Sequence, residues 1–153
     1  MPSYRGHLIG GVVTYLAMLH VIKYVQPNPH VIIQGLLFCL LGSLFPDIDV
    51  KSKGQKVFYI LLLLFLIYCL LLQRWDLFAA LSLLGIMPLL ARHRGLFHEI
   101  WFLLCLTLAI IVCLKSCNKV CYGLLLANCS FFFMGCLSHV ILDRLLTKIK
   151  RFF

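Results

Sequence analysis

Val57-Phe58-Tyr59-Ile60-Leu61-Leu62-Leu63-Leu64-Phe65-Leu66-Ile67-Tyr68-Cys69-Leu70-Leu71-Leu72-Gln73 carries no charge and only one amide, at its end. Wound as a helix at ~1.5 Å per residue it reaches about 26 Å, close to the thickness of a bilayer's hydrocarbon core. A soluble domain of this chain's length has too little polar surface to cover such a stretch, whereas lipid solvates it directly. The same reading applies to Leu8 to Val25, His30 to Phe45, Trp75 to Ala91, Ile100 to Leu114 and Val120 to Leu142. With 63% hydrophobic residues, 12% charged residues and a mean hydropathy of +1.02, the expected fold is all-α: a polytopic membrane bundle of about six transmembrane or membrane-embedded helices.

Local breakers separate the windows. Pro27 and Pro29 end the first connection, Pro46 closes the second helix, and Lys51, Ser52, Lys53 and Gly54 make a polar loop. Gly95 opens the turn before the fifth helix, and Pro88 kinks the fourth near its end. The second and fifth windows are at or below ~17 residues, so they tilt little, thin the bilayer locally, or stop early beside a polar cavity. Only Arg5 precedes the first apolar run and no convincing cleavage site follows it, so the first helix is expected to remain. Residues 1–143 then form the membrane-embedded helical domain that carries any site. Residues 144–153, with Lys148, Lys150, Arg151, Phe152 and Phe153, form a basic aromatic tail suited to an anionic leaflet.

Six crossings sort the connections onto two faces. One holds Arg5, Lys51, Lys53, Lys56, Arg92, Arg94, Arg144, Lys148, Lys150 and Arg151; the other holds only Lys23, Arg74, Lys115 and Lys119. The positive-inside rule makes the richer face cytoplasmic, with both termini inside. The net charge of +9 therefore points to cytoplasmic loops and anionic head groups, and no basic patch interleaved with aromatics argues for nucleic acid. Cys39, Cys69, Cys105, Cys129 and Cys136 fall inside apolar runs, where thiols pack as small hydrophobes. Cys113, Cys117 and Cys121 recur at four-residue intervals around the outer loop, where packing or an oxidised pair is open.

The chain has five acidic residues, and four of them lie in short polar islands with histidine or with each other. The islands are Arg5-Gly6-His7, Pro46-Asp47-Ile48-Asp49, His93-Arg94-Gly95-Leu96-Phe97-His98-Glu99 and Ser138-His139-Val140-Ile141-Leu142-Asp143. By helix parity all four fall on the cytoplasmic face. His139 and Asp143, four apart on a helix, share a side and suit either a common cation or a helix-end hydrogen bond. His93 and His98 suit a metal if Gly95 turns the chain, or else solvated positions in an interfacial loop. Asp47 and Asp49, in an extended stretch, would point the same way and turn Ile48 back toward the bilayer; a solvated turn or a cap for the third helix is the alternative. His7 alone is ambiguous. His20, 13 residues or about 20 Å further along the first helix, and His30, in the opposite loop, are expected to lie away from the site. Asn128, in the middle of the sixth helix, suits an interhelical hydrogen bond.

Together the islands supply His7, Asp47, Asp49, His93, His98, His139 and Asp143 as candidate ligands for one or two divalent ions. Mixed imidazole and carboxylate favours zinc, with manganese or iron as alternatives. Three carboxylates against two dications leave positive charge, and Arg92, Arg94 and Arg144 add to it, so an anionic lipid or phosphoester is the expected substrate class.

In this order the motifs resemble those of the YdjM-like family of membrane-bound metal-dependent hydrolases: an N-terminal histidine (His7), PDxD (Pro46 to Asp49), HRGxxH (His93 to His98) and a late SHxxxD (Ser138 to Asp143). The resemblance covers nearly the whole chain and implies an inner-membrane bundle with a metal site. Val50 stands where the family often has histidine, and Glu99 where it often has serine; Glu99 is an additional ligand, a general acid or base, or the acid at the start of the fifth helix. The order of ligands is also similar, more distantly, to zinc-dependent phospholipase C. The expected function is an integral membrane metal-dependent hydrolase acting on a phosphoester or other anionic ester at the cytoplasmic interface, with Asp47, Glu99, Arg92, Arg94 and Arg144 acting on substrate. The alternative is a non-enzymatic membrane scaffold or regulator that uses the same ligands as a structural metal lock.

Overall fold

A computed structural model describes residues 4–22, 29–48, 53–90, 96–116 and 122–152. Six α-helices account for almost all of it: α1 (Tyr4–Ile22), α2 (Pro29–Leu44), α3 (Lys53–Leu71), α4 (Trp75–Leu90), α5 (Ile100–Ser116) and α6 (Tyr122–Phe152), with no strand among the described residues. Two single-turn 3-10 helices, Phe45–Asp47 and Leu96–His98, precede α3 and α5. The fold is the expected all-α bundle. Tyr4–Ile22, Lys53–Leu71 and Gly123–Leu146 are long and apolar enough to cross a membrane, while Val31–Asp47, Leu77–Ile86 and Ile100–Val112 are shorter apolar segments. Large aliphatic side chains such as Ile9, Val13, Leu63, Leu64 and Leu83 are exposed on the bundle's outside, as lipid-facing positions must be.

Three boundaries differ from the sequence reading, and one is the start of α3, where Lys53 and Gly54, expected in the polar loop, already form the first turn of the helix. Helix α1 begins at Tyr4, because Tyr4, Arg5 and His7 tolerate helix and the single Gly6 costs only about 1 kcal/mol; His7 is thus inside the first turns. Helix α6 continues through residues 144–152, whose polar side chains do not stop a helix that already has its hydrogen bonds running.

Helices α1, α2 and α6 pack on one another. Gly42 of α2 faces the backbone of α6 so closely that a Cβ would collide with the Phe132 carbonyl oxygen, and a Cβ on Gly135 of α6 would collide with the Cys39 carbonyl oxygen. Small residues on both partners are what allow two helix backbones to meet in this way. Asn128 Nδ2 donates to Gln34 Oε1 at 2.7 Å in the same buried seam, the interhelical bond expected for Asn128. Helix α1 is joined to α2 by Tyr15 Oη–H donating to the Ile32 carbonyl at 2.8 Å and by the Cys39 thiol donating to the Gly11 carbonyl at 3.3 Å. Cys39, Cys69, Cys129 and Cys136 are buried and Cys105 is exposed, none of them in a disulfide.

Below α2 a cluster of rings fills the space toward α3 and α5. Phe45 packs against Phe58, Phe97 and Phe132 with centroids 5.3–6.0 Å apart. The two 3-10 turns are thereby pinned to the bundle through Phe45 and Phe97, both fully buried.

Candidate metal centre

Pro46 has no N–H, so α2 cannot continue its hydrogen-bond ladder through that residue. The chain tightens into the Phe45–Asp47 turn instead, closed by Ile48 N–H donating to the Phe45 carbonyl at 3.2 Å. Of the two readings left open for PDxD the structure has a turn and not the extended segment: Ile48 has φ −73° and ψ −22°, and its side chain is buried in the core instead of facing lipid. The proline and the pull of the aromatic cluster together outweigh alternation. The tighter turn brings Asp47 under the end of α2.

Helix α2's early end also leaves carbonyls of its last turn without intrahelical partners. The carbonyl of Ser43 is taken by His139 of α6, whose Nδ1 lies 2.8 Å away. That bond makes Nδ1 the protonated nitrogen and leaves the Nε2 lone pair free to coordinate, the arrangement common to metal-binding histidines. His139 is fully buried and its Nε2 has no hydrogen-bond partner.

Around that nitrogen four side chains converge. Asp47, His98, His139 and Asp143 each offer a donor atom within 4.8 Å of the others. His139 Nε2 is 3.5 Å from Asp47 Oδ1 and 3.6 Å from Asp143 Oδ2. His98 Nε2 is 3.3 Å from Asp47 Oδ1 and 3.7 Å from Asp143 Oδ2. These separations exceed the ~2.7–3.2 Å of an N–H···O bond. They do match the ~3.4 Å edge of a tetrahedron of donors each about 2.1 Å from one ion. The donor set therefore fits a divalent cation on spacing, on chemistry and on the orphaned Nε2 of His139.

His7 completes the cluster. It is 1% exposed, its ring lies on that of His139 with centroids 3.7 Å apart and planes within 14°, and neither ring nitrogen has a hydrogen-bond partner. Its Nε2 is 3.6 Å from Asp143 Oδ1 and 4.0 Å from Asp47 Oδ2. Burial alone would raise the Asp47 carboxyl, but the imidazoles of His139, His98 and His7 outweigh it and hold the group well below the usual carboxylate range.

Of the other expected site residues, Asp49, His93, Arg92 and Arg94 lie outside the described residues. Glu99 is exposed, directly before α5, and its carbonyl accepts from Leu103 N–H at 3.1 Å. Arg144 is exposed on α6 next to Asp143. His20 sits in the last turn of α1, away from His7, as expected. The residue that sequence inspection missed is Ser43: it acts through a backbone carbonyl, which leaves no trace in side-chain identity, although Pro46 three residues on signals that carbonyls nearby lose partners.

No curated protein and no solved structure matches the chain significantly. A family model does, over residues 1–150 of the 153. Its description, inner membrane protein, agrees with a bundle of six apolar helices. On that match, spanning the helices and every residue of the His and Asp cluster, the chain belongs to the YdjM inner membrane protein family.

Proposed function

We propose that this protein is an integral membrane hydrolase that uses a divalent cation, zinc first and manganese or iron as alternatives, on a phosphoester or other anionic ester at the cytoplasmic face of the inner membrane. One observation carries the reading: Asp47, His98, His139 and Asp143 meet with donors within 4.8 Å, yet the cluster is not sealed. The Asp47 and His98 side chains keep 26% and 29% of their exposure, while His139 keeps none. Structural metal sites close over their ion, whereas catalytic ones retain an accessible side.

When bound, the cation would polarise a substrate oxygen and acidify water. The protein's own contribution is orientation and proton handling. Ser43 fixes the His139 tautomer, Asp143 holds its place one helical turn further along α6, and Glu99, exposed directly before α5, is the carboxylate that would accept a proton from water. Arg144, with Arg92 and Arg94, would meet the substrate anion, and Glu99 its leaving group. Positive-inside charge supports a cytoplasmic site at head-group depth, so an anionic lipid is the first substrate to try.

The test is a panel of phosphoesters, lipid and soluble, with purified protein loaded with zinc or manganese. Turnover lost in Asp47→Ala and His139→Ala, with insertion retained, is expected. Full activity in both variants would end the assignment, and a metal that raises stability without turnover of any ester would favour the structural-lock alternative.

A further inference from the structure

We infer that the centre holds two cations side by side, bridged by Asp47 and Asp143, with His7 as the terminal ligand of the second. The inference rests on the metal-site reading above and deepens it.

The two carboxylates are divided between two sides of the cluster. On one side, Asp47 Oδ1 and Asp143 Oδ2 face His98 Nε2 and His139 Nε2 at 3.3–3.7 Å. On the other, the remaining oxygens, Asp47 Oδ2 and Asp143 Oδ1, face His7 Nε2 at 4.0 and 3.6 Å. Each aspartate thus turns one oxygen to each side, which is how carboxylates bridge paired ions. His7 stands outside the group of four donors that meet within 4.8 Å.

Ring geometry gives an independent argument. The lone pair of an imidazole nitrogen lies in the ring plane, and a bound ion sits near that plane. The His7 and His139 rings are nearly parallel, with centroids 3.7 Å apart, and both Nε2 atoms point at the same pair of carboxylates. A single ion between them would lie about half of that 3.7 Å spacing out of each plane. Two ions, one in each plane, would instead be separated by roughly the ring spacing, and paired catalytic ions stand ~3.5–4 Å apart.

His7's burial fits the same account. A 1% exposed imidazole with both nitrogens orphaned is costly unless something occupies the space its lone pair faces. Two dications against two bridging carboxylates also leave a net positive centre, which suits a substrate anion with more than one oxygen to offer, such as a phosphate ester.

Purified full-length protein loaded with manganese and desalted supplies the test. Two equivalents of manganese per chain are expected by elemental analysis, with an exchange-coupled multiline signal by electron paramagnetic resonance. His7→Gln should fall to one equivalent and lose the coupled signal while keeping the ion at His98 and His139. One equivalent in the wild type, or two uncoupled ions, would overturn the inference and leave the single-ion reading standing; no bound metal would overturn both. Two equivalents retained by His7→Gln would remove His7 from the centre. Should that variant lose its helical signal in detergent, the wild-type stoichiometry and coupling decide alone.

Discussion

At the scale of one residue His139 is the pivot of the centre, because its two nitrogens have two separate jobs. Nδ1 is bound to the Ser43 carbonyl at 2.8 Å and Nε2 faces the two carboxylates. His139→Ala should cut metal affinity by more than the ~10–100-fold typical of losing an outer partner of a ligand. Isothermal titration with zinc measures it, and affinity within a factor of three of wild type would contradict the geometry. Asp47→Asn keeps the shape of the side chain and removes its charge, so it should lose both metal and turnover while leaving thermal stability without metal nearly unchanged. The HxxxD spacing was enough to put His139 and Asp143 on one side of a helix, and the structure finds them 3.6 Å apart. What spacing could not show is the partner of Nδ1, since backbone carbonyls look alike in every sequence. His7 was legible only as a histidine near other polar islands; its stacking on His139 depends on how α1 is seated.

Among the elements, the pairing of α2 with α6 matters most. Gly42 and Gly135 permit backbone contact that any Cβ would forbid. Gly42→Leu should force the helices apart and destabilise the bundle by about 1–3 kcal/mol, the usual cost of overpacking, or more because the obstacle is backbone. Thermal unfolding in detergent, monitored by circular dichroism, reads this; an unchanged midpoint would mean the helices do not meet there. Asn128→Leu is the milder companion. Losing its bond to Gln34 should cost about 0.6 kcal/mol, with ~1.7 as an upper value for such bonds between membrane helices. The six windows were visible from hydropathy, and α2 to α5 begin or end within a few residues of the apolar runs. The Pro46 turn was legible only as the alternative to an extended segment, because alternation does not register what the missing N–H and the buried Phe45 and Ile48 side chains select, a tight turn.

For the molecule as a whole, the cation and the bundle should stabilise each other. The described side chains of the cluster come from α1, the turn after α2, the turn before α5, and α6, so a bound ion would tie four segments together. Dialysis against a chelator should lower the unfolding midpoint by several degrees and zinc should restore it, since a ligand at 100 times its Kd adds about 2.7 kcal/mol. A midpoint indifferent to chelator would contradict a bound ion. Orientation has its own check: a green fluorescent protein fused to the C-terminus should fluoresce and an alkaline phosphatase fusion should stay inactive, as positive-inside charge requires. The convergence of distant islands was legible from helix parity, which put all four on one face; the depth and order of their packing came only from the helix contacts.

The seam between α2 and α6 also sets a schedule. Since His7 enters with the first helix and His139 with the last, a ribosome must deliver nearly the entire polypeptide before any cation can be captured. A chain that stalls before α6 has its early histidine and aspartate without the His139 and Asp143 side chains that face them in the finished bundle.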